Sequence, residues 1–279
     1  MTVRIVTDST ADLSPEEAAA LCVTVVPLTV SFGDEDLLDG IDIDASTFYD
    51  RLASAKVLPR TSQPPVDRFK AAYEAAALET SEIVSIHLSS RLSGTLNSAS
   101  VAREEVSHEL RIELIDSHMV SLGLGAIVIA AAEAAQAGAS MAEVVDVARR
   151  TMDRVSVAIV VDTLEYLQRG GRIGRARSLL GSVLSIKPIL HVDDGEVAPL
   201  ERVRTRGRAV ERIFEIATAD KTLKRLIVAC TGDDAQALEF IASVRPVLPH
   251  TDVRLGHIGP VVGVYTGANA LGVAMVRRD

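Results

Sequence analysis

Short β-branched and aliphatic runs alternate with amphipathic or alanine-rich stretches through the first half of this chain, and that alternation constrains its fold more than any other feature. Residues 3–6, 22–30, 83–88 and 112–115 read as strands, and residues 15–21, 66–78, 95–106 and 122–137 read as helices. This order predicts an α/β layer around a mainly parallel sheet, because parallel strands need crossovers and the crossover helices cover both sheet faces. Ligands then collect at the carboxyl ends of the strands.

The pattern changes after a break at Gly138-Ala139-Ser140, where Ser140 suits the N-cap of a helix over residues 141–152. A boundary placed just beyond it divides the chain into residues 1–153 and 154–279. In the second part, strands are expected at 155–161, 186–192 and 197–203, the last two forming a hairpin about the turn Asp193-Asp194-Gly195. A helix at 206–219, a strand at 225–230, a helix at 235–244 and strands at 253–257 and 261–265 follow. Hairpins mixed with helical crossovers predict a mixed sheet with helices on it.

Several function classes are disfavoured by composition. A chain of 279 residues that is 48% hydrophobic can bury a sizeable core. Cys22 and Cys230 lie far apart in apolar runs, without metal or redox spacing, and read as buried thiols of a reducing cytoplasm. The six histidines show no ligand spacing, so no metal or other cofactor is implied. The opening residues lack the features of an export signal. Residues 122–137 are too short and too interrupted, by Glu133 and Gln136, for a membrane span and read as a core helix. A net charge of -9 with no tryptophan argues against nucleic-acid binding. The charge is uneven, however: residues 169–212 carry ten basic and five acidic side chains, leaving -14 for the rest.

Four loops look chemically loaded. In TDSTADLSPE, residues 7–16, Ser14 followed by Pro15 and Glu17 has the form of a helix cap, while Asp8 and Ser9 suit a turn or a site equally well. In RTSQPP, residues 60–65, the prolines hold extended backbone and fix Thr61 and Ser62 as a pair of hydroxyls. In HLSSRLSGTLNSAS, residues 87–100, Ser93 and Gly94 stand where a helix N-terminus favours an anion, although simple capping by Ser93 or Thr95 fits the local sequence equally well. His87, inside an apolar strand, reads as a satisfied core residue. In QRGGRIGRARSLLG, residues 168–181, Arg169, Arg172, Arg175 and Arg177 surround glycines. In ERVRTRGR, the arginines at 202, 204, 206 and 208 would share one face of an extended segment and present an anion-facing or partner-facing surface.

Taken with IDSHMVSLGLG, DTLEYLQRGGRIG, SIKPILHVDDGEV and IGPVVGVYTGANALGV, these loops resemble the DegV family of fatty-acid-binding proteins from end to end. The resemblance implies an N-terminal three-layer parallel-sheet domain, a C-terminal mixed-sheet domain and a buried tunnel for a long-chain fatty acid. It implies a non-catalytic role, in which the carboxylate is offered to a separate ATP-binding kinase subunit for acyl phosphate formation and phospholipid metabolism. Carried over residue by residue, the carboxylate-binding positions are Thr61, Ser62, Ser93, Gly94 and Tyr265, and those facing the phosphate or partner are Arg172 and Arg204. Kinship also suggests a monomer that docks transiently, without stable membrane insertion.

One departure bears on the last step. Members of the family it resembles that serve a kinase commonly carry histidine in HTGPG, where this chain reads Tyr265-Thr-Gly-Ala-Asn269. Tyrosine donates one hydrogen bond but brings no positive charge near neutral pH. Two alternatives therefore stay open: a lipid carrier or sensor uncoupled from a kinase, and an enzyme holding a small anionic metabolite at the same site.

Overall fold

Residues 3–181 and 186–278 are described by a computed structural model; Ser185, the first residue of SIKPILHVDDGEV, lies outside the described residues. The first elements are β1 (Arg4–Asp8), α1 (Pro15–Ala20), β2 (Val23–Val26), β3 (Thr29–Phe32), β4 (Glu35–Leu38), α2 (Ala45–Ser54) and β5 (Arg60–Ser62). Then come α3 (Val66–Ala77), β6 (Glu82–His87), α4 (Thr95–Glu105), β7 (Arg111–Asp116), α5 (Leu122–Gln136) and α6 (Met141–Met152). The chain continues through β8 (Val155–Val160), α7 (Glu165–Arg169), β9 (Lys187–Asp193), β10 (Glu196–Val203) and α8 (Arg206–Ala219). It ends with β11 (Leu223–Cys230), α9 (Ala235–Val244), β12 (Asp252–Leu255), α10 (Pro260–Thr266) and β13 (Leu271–Arg277).

A four-stranded parallel sheet in the order β2-β1-β6-β7 forms the first layer system. Strand alternation sends Ile5, Val84 and Ile86 to one face, against α5 and α6, and Val6 and Ile83 to the other, against Phe69 and Tyr73 of α3 and Ala99 and Ala102 of α4. Helices thus cover both faces, making three layers. The second sheet runs β10-β9-β8-β13-β11-β12 and is antiparallel except for the parallel pair β11 and β12. One of its faces packs on α8 and α9, and the other on α5. Helix α5 therefore sits between the sheets, which explains why its sequence is apolar nearly all round. Among the described residues, no helix is long and apolar enough to cross a membrane.

Two helix starts follow the expected capping chemistry closely. Ser14 and Ser140 each accept from the N3 backbone N–H while Glu17 and Glu143 reach back, so both form reciprocal capping boxes. The hairpin between β9 and β10 also forms about the expected turn, with Asp194 at φ 51° and Gly195 at φ 77°.

Other expectations need correction. The run at 22–30 is two strands, because Pro27 interrupts the ladder, and β3 joins a separate antiparallel sheet in the order β4-β3-β5. Residues 261–265 are helical. Pro260 opens α10 at N1, and Gly263 lets the helix approach α2 so closely that an added Cβ would lie 2.7 Å from Tyr49 Oη. Helix α2 and strand β13 escape the sequence reading altogether, although β13 lies between β8 and β11 in the larger sheet. The arginines of ERVRTRGR do not share one extended face, since the strand ends at Val203 and α8 begins at Arg206. Cys230 is buried, but Cys22 is only half-buried, at φ 53°.

Candidate functional site

Where the three-stranded sheet, α10 and the loops after β6 and α7 converge on the larger sheet, they enclose a cavity of about 380 Å³. Leu88, Leu92 and Val120 line one part of it, Val157, Ile159 and Leu190 another, and Val261 and Val262 of α10 a third. The walls are mostly apolar; Thr61, Ser62, Gln63, Ser93, Arg172 and Tyr265 supply polar groups, and Thr10, Ser121, His191 and Thr266 supply others. An apolar cavity with a few convergent polar groups is the usual form of a small-molecule site.

Pairing of β5 with β3 places Thr61 opposite Val30, and the prolines that follow end the strand. The Thr61 hydroxyl lies 2.5 Å from Tyr265 Oη, so residues 204 positions apart meet at this point. Gly170 makes room for that tyrosine: an added Cβ would stand 2.4 Å from its ring. The Arg172 guanidinium lies over the Tyr265 ring, 5.4 Å from its centroid, and donates to the carbonyls of Gly170 and Leu92 at 2.8 and 3.1 Å. It thereby ties the glycine-rich loop to the loop that carries Ser93.

Ser93 lines the cavity and stands just before the N-cap of α4, which is Gly94 and has no side-chain cap. Its Oγ accepts from the Thr95 N–H at 3.3 Å and pairs with Thr95 Oγ1 at 2.9 Å. Gly94, in contrast, is not among the lining residues. An added Cβ there would meet Gln63 Oε1 at 2.1 Å, so this glycine admits the Gln63 side chain, which goes on to donate to Ser98 Oγ at 2.9 Å. TSQPP does not by itself single out Gln63, whose role depends on Gly94 and Ser98, more than thirty residues away. Ser98, within α4, is buried.

The basic loops contribute less than their composition suggests. Arg169 pairs with Glu165, Arg175 with Asp193, Arg208 with Glu211 and Arg212 with Glu201. Arg172 lines the cavity, whereas Arg204 is exposed and not among the lining residues.

Beneath the site, two buried carboxylates hold the start of α10. Asp12 accepts from the Gly259 N–H at 3.0 Å and from Ser121 Oγ at 2.5 Å. Asp39 lies near the Ser9 hydroxyl and the Val261 N–H, both of which favour its charged form. Burial pushes Asp12 well above the ordinary carboxylate range and Asp39 up to about 7, outweighing the neighbouring donors that favour their charged forms.

Asp8, whose sequence allowed either a turn or a site role, is part of a sealed network. It accepts from the Thr10 N–H, Thr10 Oγ1, the Leu88 N–H and His87 Nδ1 at 3.1, 2.5, 3.0 and 3.0 Å. His87 Nε2 meets Ser85 Oγ at 2.7 Å, and Ser85 meets Tyr73 Oη at 3.0 Å. Although the order of groups parallels a nucleophile-activating triad, all four side chains are 0% exposed. No substrate reaches Ser85 here, and His87 is the satisfied core residue expected.

The family model for DegV, described as an uncharacterised protein family, matches residues 2–278. The chain belongs to the DegV family. A DegV domain-containing protein of Clostridium perfringens is 35% identical, with both chains covered in full. The solved structure of a fatty-acid-binding DegV family protein from Thermus thermophilus superposes with a TM-score of 0.92 at 32% identity, again over both full chains. DegV of Bacillus subtilis, described as a fatty acid binding protein, gives 0.91 at 32% identity and full coverage of both chains. The parallel sheet, the mixed sheet and their helices are thus the DegV fold.

Proposed function

We propose that the cavity binds a long-chain fatty acid, with its carboxylate at the cluster of Thr61, Ser62, Ser93 and Tyr265. The observation that carries this reading is the cavity itself: mostly aliphatic walls that also bear the hydroxyls of Thr61, Ser62, Ser93 and Tyr265, with Thr61 and Tyr265 in direct contact. Burying each methylene contributes about 0.8 kcal/mol, so the tail supplies most of the affinity and the polar groups orient the head. Gly94 contributes indirectly, by seating Gln63, and Arg172 provides the nearby positive charge. The same reading treats residues 1–153 and 154–279 as two domains of a cytoplasmic, monomeric carrier with no cofactor of its own.

Thr61→Val removes a head-group donor while preserving shape. In competition titrations with a fluorescent fatty acid, it is expected to weaken binding about tenfold or more, the scale of a hydrogen bond to a charged group. Affinity equal to that of the natural chain would rule out a carboxylate at Thr61.

Presentation of the bound carboxylate to an ATP-dependent kinase subunit is the further step of this proposal. Tyr265 bears on it directly, since its hydroxyl occupies the place where a histidine would bring charge. With a family kinase subunit and ATP, Tyr265→His is expected to give more acyl phosphate than the natural chain. Product from the variant alone would mark the natural protein as a carrier separated from phosphoryl transfer; equal yields would remove Tyr265 as the determinant.

A further inference from the structure

We infer that Gly272 sets the calibre of the cavity and hence the size of the acyl chain it accepts, an inference that rests on the fatty-acid reading above. Gly272 lies in the middle of the larger sheet, buried, between Ile159 of β8 and Ala229 of β11. A glycine at such a position weakens a strand, and it commonly marks the close approach of a backbone or a ligand. The packing of the protein gives no reason for it. An added Cβ would find its three nearest atoms all on Ile159, at 3.6, 3.7 and 3.7 Å, which is ordinary contact.

Other buried or half-buried glycines nearby are different. At Gly123 an added Cβ would meet Val157 at 2.9 Å, and at Gly256 it would meet Ile227 at 2.8 Å, so side-chain packing excludes a larger residue at both. Gly272 carries no backbone requirement either, since it is absent from the glycines with positive φ. What a side chain at Gly272 would enter is the cavity, which Gly272 and Ile159 both line.

Register explains why this position is decisive. Along β13 the cavity face continues from Gly272 to Ala274 and Val276, which pack in the core shared with α5. The opposite face presents Leu271, Val273 and Met275 to the core beneath α8 and α9. The floor therefore deepens at the one strand residue without a side chain, flanked by the larger Ile159. Gly272 is buried, whereas Thr61 and Tyr265 are partly exposed and Ser62 is exposed, so it contacts the hydrocarbon rather than the carboxylate.

The test compares the full chain with Gly272→Ala and Gly272→Val, titrated with dodecanoate, hexadecanoate and octadecanoate. Each methylene forced out of the cavity weakens binding about fourfold. Valine displaces about two, so Gly272→Val is expected to bind octadecanoate about fifteenfold more weakly relative to dodecanoate than the natural chain does, with Gly272→Ala intermediate. Thermal unfolding should show the variants folded, since valine suits a strand interior better than glycine. An unchanged length profile overturns the inference and leaves the fatty-acid reading intact. A uniform loss across the three lengths also overturns it, by placing the obstruction at the head group. If the natural chain binds none of the three acids, the fatty-acid reading itself fails, and this inference with it.

Discussion

Replacing Asp39 with asparagine is expected to stabilise the protein by about 4 kcal/mol at mildly alkaline pH and to remove the part of its pH dependence that Asp39 causes. The carboxylate is buried and its pKa stands at about 7 against an ordinary 3.8. Its Oδ2 has no hydrogen-bond partner among the described residues. Between those two values the folded protein holds a proton that the unfolded chain has released. Stability therefore falls as pH rises from 3.8 towards 7, and levels off above it. Asparagine can offer an oxygen to Ser9 and Val261 but never ionises, so this part of the decline disappears. Asp12, shifted the same way by burial, leaves a slope of the same sign in both proteins. Urea unfolding over a pH series checks the expectation; parallel curves for the two proteins would contradict it.

Asp8→Ala should act in the opposite direction, destabilising by roughly 3–5 kcal/mol, as expected when one partner of a buried Asp–His pair is removed. The difference between the two aspartates lies in their partners. Asp8 accepts from Thr10, His87 and Leu88, and its loss leaves a buried imidazole and backbone N–H without an acceptor. A lower denaturation midpoint with an unchanged denaturant slope is the expected signature. A loss of less than about 1 kcal/mol would mean that water or another group readily replaces the carboxylate.

Legibility in the sequence followed the range of the forces involved. The cores of α1 and α6 could be placed because Ser14 and Ser140 cap them locally. The parallel sheet could be placed because β-branched runs recur between helices. Residues 261–265 misled because valines and a tyrosine suit a strand by composition, whereas packing on α2 and the Gly259-Pro260 start select a helix. β13 escaped because Gly272 and Ala274 weaken the strand signal where the cavity and α5 need space. At the site, Thr61, Ser62, Ser93, Arg172 and Tyr265 were named from motifs, and the structure brings them around one cavity. Gln63 and the buried pair Asp12 and Asp39 were not. Their significance depends on neighbours up to 247 residues away, as in the bond from Gly259 to Asp12.

The most direct test is native mass spectrometry of the full chain purified from cells, with solvent extraction of whatever it carries. The account predicts a mass increment matching one long-chain fatty acid per protein, lost on extraction and restored by adding octadecanoate. A chain that emerges empty and takes up no fatty acid, or one that carries a compact polar metabolite instead, would contradict it.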